Sequence, residues 1–116
     1  MTHEYIGTKQ VTAWPQEKDG KPGYAVKYAD GYTSWSPKDV FEAAYIDIGH
    51  VAHLPPHQQR VIGEKAVLDD KLTKLRQFFG APLFAGLPTD EQNRLQRQAV
   101  AMTVYSELLG ARIEAF

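Results

Sequence analysis

Apolar side chains in the second half of the chain recur at alternating steps of four and three residues. Val61, Lys65, Leu68, Leu72, Leu75 and Phe79 form one stripe, and Leu95, Ala99, Met102, Ser106, Leu109, Ile113 and Phe116 form another. This is the rhythm of a coiled-coil seam, interrupted by one charge at Lys65. Two such stripes predict two long helices folded back on each other. The segment from Gly80 to Pro88 supplies the break, with glycine past the first helix and proline before the second. Thr89 followed by Gln92 predicts a capping box that satisfies free amides at the start of the second helix.

The first half alternates differently. YIGTKQVTAW, residues 5–14, is rich in β-branched and aromatic side chains and stops at Pro15, so it predicts a strand. Asp19-Gly20 suits a tight turn between antiparallel strands. Tyr24 to Tyr28 alternates in the period-two manner of a second strand, Asp30-Gly31 predicts a further turn, and Tyr32 to Trp35 predicts a third strand. Ser36, Pro37 and Asp39 read as the capped start of a short helix carrying Val40, Phe41, Ala44 and Tyr45 on one side. The expected fold class is α+β: a small N-terminal three-stranded antiparallel sheet with a short helix, then a long antiparallel helical hairpin. The expected divisions are a β-rich module at 1–49, a linker at 50–56 and the hairpin at 57–116.

Neither part closes its own surface. A sheet of three strands under one helix is marginal. On the hairpin Ile62, Ala66, Phe78, Val100, Val104, Tyr105 and Leu108 lie beside the seams and widen the apolar surface beyond what one partner helix covers. The expectation is that the sheet packs on the hairpin and that a second subunit docks, giving a homo-oligomer.

Charge changes the picture modestly. The 116 residues carry 13 basic and 14 acidic side chains, a formal net charge of -1. No global field draws the chain to DNA, RNA or an anionic membrane. All five arginines (Arg60, Arg76, Arg94, Arg97 and Arg112) fall in the helical half. Arginine suits planar, bidentate contact with phosphate, although a solvated helical face uses it too. Cysteine is absent, which excludes disulfides, thiolate nucleophiles and cysteine-bearing zinc sites. The N-terminus lacks the basic-then-apolar form of a signal peptide, and no apolar run approaches the roughly 20 residues that span a bilayer, so a cytoplasmic protein is expected.

Candidate chemistry is sparse. His50, His53 and His57 have metal-like spacing, but Pro55 and Pro56 interrupt a helix through them, which favours a solvated linker over a metal site. The pairs Asp69-Asp70 and Asp90-Glu91 are adjacent, so their carboxylates diverge by about 100° on a helix. No nucleophile turn, phosphate loop or dinucleotide fingerprint occurs, so no cofactor is expected. What remains is a binding set: Arg94 and Arg97 one turn apart, with Gln98 and Asn93 beside them, can grip phosphate and read a base edge. The alternative is a solvated face in which Asp90 pairs with Arg94. Arg60, at the other end of the hairpin, reaches that cluster only from a neighbouring subunit. Trp35, Tyr32, Trp14 and Phe84 offer stacking surfaces or sheet core.

YIGTK and GYAVKYADGYTSWSPKDVFEAAY resemble a small module common in bacteriophage and prophage proteins. PPHQQRVIGEKAVLDDKLTKL, LPTDEQNRLQRQ and YSELLGARIEAF resemble a phage helical hairpin. A β-rich module joined to such a hairpin is similar to the phage anti-Thoeris sponges, which share their hairpin with the anti-CBASS sponges. The resemblance implies a non-enzymatic protein of the host cytoplasm, a dimer or hexamer. It would sequester nucleotide immune messengers: glycocyclic ADP-ribose from TIR-domain enzymes, or cyclic oligonucleotides from cGAS-like enzymes. It also implies pockets between subunits, with Arg94 and Arg97 on phosphates, Arg60 and Gln98 behind them, and Trp35 or Tyr32 stacking a base. The alternative is a protein-binding adaptor or virion component that uses the same hairpin.

Overall fold

A computed structural model describes residues 1–116 and divides them into two compact units, Met1–Ile46 and Asp47–Phe116. The first holds β1 (Thr12–Pro15), β2 (Gly23–Lys27), β3 (Thr33–Pro37) and α1 (Lys38–Ala44). The strands form an antiparallel sheet in the order β1-β2-β3. Asp19 and Gly20 both have positive φ, 53° and 76°, and Lys18 and Lys21 exchange backbone hydrogen bonds of 3.0 Å across them. That is the mirror-image turn whose twist suits a two-residue hairpin. At the second turn Gly31 takes φ 91°, and the Asp30 carboxylate accepts a 2.9 Å bond from the Tyr32 amide.

Ala25 and Val26 are the buried centre of this unit, and they point to opposite faces of the central strand. The register puts Ala25 between Trp14 and Trp35, so the two indoles flank a small side chain on one face. On the other face Tyr24 stacks on Phe41 with centroids 4.4 Å apart, Phe41 stacks on Tyr45 at 4.9 Å, and the Tyr24 hydroxyl donates to Glu42 at 2.6 Å. Val40 and Ala44, expected on the packed side of α1, are exposed.

Two local predictions fail here. The first strand starts at Thr12 rather than Tyr5, because β2 offers partners only from Lys27 to Tyr24 before the chain turns away. Tyr5 and Ile6 stay exposed. Ser36 does not cap α1: it lies within β3, and Pro37 takes the cap position in an extended conformation, φ -56° and ψ 147°, with no side-chain cap bond.

The second unit is the hairpin, α2 (Pro56–Phe78) and α4 (Thr89–Glu114), joined through the short helix α3 (Pro82–Ala85). Leu109, Leu72, Val61, Ala99 and Phe84 are its buried side chains. Four of those five occupy predicted seam positions, and the remaining seam residues are half-buried except Phe116, which lies past the end of α4 and is exposed. The linker contributes as well: Ile48, Val51 and Leu54 are half-buried, and Ile48 rests beside Gly63 of α2. No helix is long and apolar enough to cross a membrane.

The connection is more ordered than a glycine-proline break. Gly80 is not left-handed, so α2 ends in tightened turns, with Gly80 and Ala81 amides bonded to the carbonyls of Gln77 and Phe78 at 3.2 and 2.9 Å. The turn that follows, α3, carries Phe84 into contact with Phe78 and Phe79, at centroid distances of 5.8 and 4.9 Å. The capping box is absent too. Pro88 holds the cap position of α4, and the Gln92 amide instead donates to the carbonyls of Leu87 and Ala85 at 2.9 and 3.3 Å. Gln92 ties the loop to the helix, while Asp90 and Glu91 place negative charge in the first turn, where the helix dipole favours it.

Candidate functional site

The seam of the hairpin contains a polar cluster. Lys65 on α2 donates to Asp69 one turn on, at 2.7 Å, and to the Ser106 hydroxyl of α4, at 3.1 Å. Ser106 in turn donates to the second carboxylate oxygen of Asp69. The Lys65 ammonium and the Ser106 hydroxyl together hold the Asp69 carboxyl below the ordinary carboxylate range. Three side chains thus satisfy one another where a coiled coil would otherwise place apolar groups. Arg76 reinforces the pairing by donating to Thr103 at 2.8 Å, and Thr103 donates to the Ala99 carbonyl of its own helix. In the sequence Lys65 stands out as an interruption of the seam, without the cluster around it. The signal was available, since Lys65 and Ser106 both occupy seam positions that an antiparallel hairpin brings level.

These contacts fix the register and so locate the arginines. Lys65 meets Ser106 and lies beside Gly110, and Arg76 meets Thr103. Arg60 is therefore level with the end of α4 that carries Arg112, while Arg97 lies near the level of Phe78. At 1.5 Å per residue the two ends are about 27 Å apart along the axis. A single chain brings Arg94, Arg97 and Gln98 together on the first half of α4 and leaves Arg60 at the far end. Arg94 donates to Glu91 at 2.8 Å, so its ion pair is with Glu91 and not with Asp90. The side chains of Arg97 and Arg60 are exposed and make no hydrogen bond or ion pair within the chain. The Gln98 amide lies 3.8 Å from the Met102 sulfur.

Trp35 and Tyr32 belong to the β unit. The Trp35 indole lies over Gly23, where a Cβ would overlap it, and its Nε1 donates to the Gln16 carbonyl at 2.7 Å. Tyr32 is 65% exposed and stacks loosely on Tyr28, centroids 6.1 Å apart. With Lys9, whose ammonium sits 4.6 Å from the Tyr28 ring centroid, these two tyrosines line an open depression of about 470 Å³. Phe84 offers no stacking face, because it is buried within the hairpin connection against Phe78 and Phe79. In the linker, His50 and His53 stack ring on ring at 5.8 Å, while Pro55 and Pro56 open α2 ahead of His57.

A family model described as Sequestin matches residues 55–115, which is the hairpin from its first proline to its last turn. No curated protein and no solved structure matches the chain significantly.

Proposed function

This chain belongs to the Sequestin family, and from that membership we propose that it captures a nucleotide second messenger and withholds it unchanged. The family name points to sequestration, and the match covers the hairpin alone, so the capturing surface is assigned to α2, α3 and α4. The observation that carries the reading is the cluster on α4. Arg94 and Arg97 stand one turn apart and exposed, Arg97 without any partner in the chain, beside the amide of Gln98. Guanidinium forks match the paired oxygens of phosphate groups, and an amide can read a base edge.

The ligand class proposed is a phosphorylated nucleotide signal, either a glycocyclic ADP-ribose from a TIR-domain enzyme or a cyclic oligonucleotide from a cGAS-like enzyme. Capture rather than turnover is the proposed mode. A lone exposed ion pair contributes only about 0–1 kcal/mol, so tight capture needs the arginines enclosed with their ligand, and Arg60 is proposed to reach them from a second copy. Calorimetry against cyclic ADP-ribose isomers and cyclic oligonucleotides tests this, coupled to mass spectrometry of the ligand released on denaturation. The expected result is recovery of the ligand at its original mass, with affinity lowered at least about 100-fold in the Arg94→Ala, Arg97→Ala double variant. A changed ligand mass, or an unchanged affinity in the double variant, overturns the proposal. Anti-defence activity retained by that variant would instead favour a protein-binding adaptor.

A further inference from the structure

The seam repeats every seven residues on both helices, and a repeat by itself does not say which turn of α2 meets which turn of α4. With Lys65 beside Gly110 and Asp69 beside Ser106, Leu72 comes level with Met102 and Leu75 with Ala99. Sliding one helix along the other by one repeat, about 10 Å, again brings apolar side chains together. In one direction Leu68 comes level with Ala99 and Leu72 with Leu95. In the other Leu68 comes level with Ile113 and Leu72 with Leu109. The connection from Phe79 to Pro88 is long enough to follow either slide. Its contacts are local: Phe84 packs on Phe78 and Phe79 at the end of α2, and Gln92 bonds Ala85 and Leu87 at the start of α4. The helices can slide by giving up one of them.

What separates the registers is polar. Ser106 accepts from the Lys65 ammonium at 3.1 Å and donates to the Asp69 carboxylate. After a slide of one repeat Asp69 faces Ala99 or Ile113, neither of which has a side-chain donor, and Lys65 faces Met102 or Phe116. Hydrogen bonds to charged groups are the strong ones, and a polar group held away from water without its partner is penalised. As a source of stability the cluster is weak. The Lys65 and Asp69 side chains remain 30% and 43% exposed, so water screens their ion pair.

We propose that Lys65, Asp69 and Ser106 form a register lock, which selects one alignment of α2 and α4 among those the apolar repeat allows and gives up some stability to do so. The three are positioning residues, because the register decides which part of α2 and of the connection borders Arg94 and Arg97. The inference stands whatever ligand the hairpin captures.

The experiment uses the full chain. Native cysteine is absent, so Lys71→Cys and Gln96→Cys, both at exposed positions, place one spin label on each helix. Dilution with unlabelled chain restricts the signal to distances within one chain, read by electron paramagnetic resonance. In the observed register the labelled positions stand about 11 Å apart along the axis, and a slide of one repeat moves them to about 21 Å or brings them level. The chain with its lock intact is expected to give one distance. Lys65→Met, Asp69→Leu and Ser106→Ala together are expected to leave the urea midpoint unchanged or raised, and to add a second distance in at least about one molecule in ten. Ser106→Ala alone, which keeps the Lys65–Asp69 pair within α2, should also add the second distance, and Ser106→Thr, which restores the hydroxyl, should remove it. One unchanged distance in Ser106→Ala overturns the proposal whether or not the triple variant folds. Two distances in the chain with its lock intact overturn it as well. So does a triple variant that keeps one distance and loses stability, since the cluster would then act in stability and not in register.

Discussion

At the scale of single residues, Asp69 and Gly23 each carry a consequence that can be measured. The Asp69 carboxyl has a lowered pKa because the Lys65 ammonium and then the Ser106 hydroxyl donate to its ionised form. A carboxyl with a folded pKa below its unfolded one binds protons more readily when unfolded. Its contribution is therefore complete above the unfolded value of about 3.9 and disappears as pH falls through the lower, folded value. Urea unfolding followed by circular dichroism should show the wild-type midpoint falling as pH drops below about 4, with a shallower fall for Asp69→Asn. Equal slopes would show that the cluster makes no difference between the folded and unfolded states. Gly23 is different in kind, since a methyl group there meets the Trp35 indole directly. Gly23→Ala should cost at least about 1–3 kcal/mol, read from the thermal midpoint of the near-ultraviolet tryptophan signal, because the added methyl overlaps the Ser36 carbonyl as well as the indole, so backbone and ring must both shift.

At the scale of elements, neighbouring positions on α4 have opposite fates because about 100° separates them. Leu109 is 1% exposed and sits in the seam, whereas Leu108 beside it faces outward. Leu109→Ala should destabilise the hairpin by about 2–5 kcal/mol, the cost of a cavity, while Lys71→Ala on the exposed face of α2 should stay within about 0.5 kcal/mol. Comparable losses in the two variants would mean that α2 and α4 do not share this seam. The caps show where local rules yield to packing. Thr89 and Gln92 have the spacing of a capping box, yet Pro88 holds the cap and Gln92 reaches back to the loop carbonyls of Leu87 and Ala85. Those carbonyls have no helical partner, so satisfying them outweighs the motif. The first strand is cut short for a related reason: a strand exists only where its neighbour offers partners, and β2 is five residues long.

At the scale of the whole molecule, two units meet the difficulty of small size in different ways. The β unit flanks Ala25 with two indoles on one face of the sheet, of which Trp14 stays exposed, and stacks a ladder of aromatic rings on the other. The hairpin hides one stripe of each helix and leaves the outward stripe of α4 uncovered. If a second copy covers it, the hairpin's thermal midpoint should rise with chain concentration between about 1 and 100 µM, as mass action requires of any coupled assembly. Val104→Asp should abolish that dependence, and a wild-type midpoint independent of concentration would count against a dimer.

The sequence by itself determined the fold class, the seam residues of both helices except Phe116, the two tight turns and the concentration of arginine on the hairpin. Each of these depends on period, turn chemistry or composition, which are properties of the chain read locally. Only the tertiary structure decided that Lys65, Asp69 and Ser106 share one hydrogen-bonded cluster, that Phe84 is core, that Trp35 lies over Gly23, and that Glu91 holds Arg94. These depend on which groups meet across distant segments, and on polar atoms taking the nearest unsatisfied partner, whatever motif the local sequence spells.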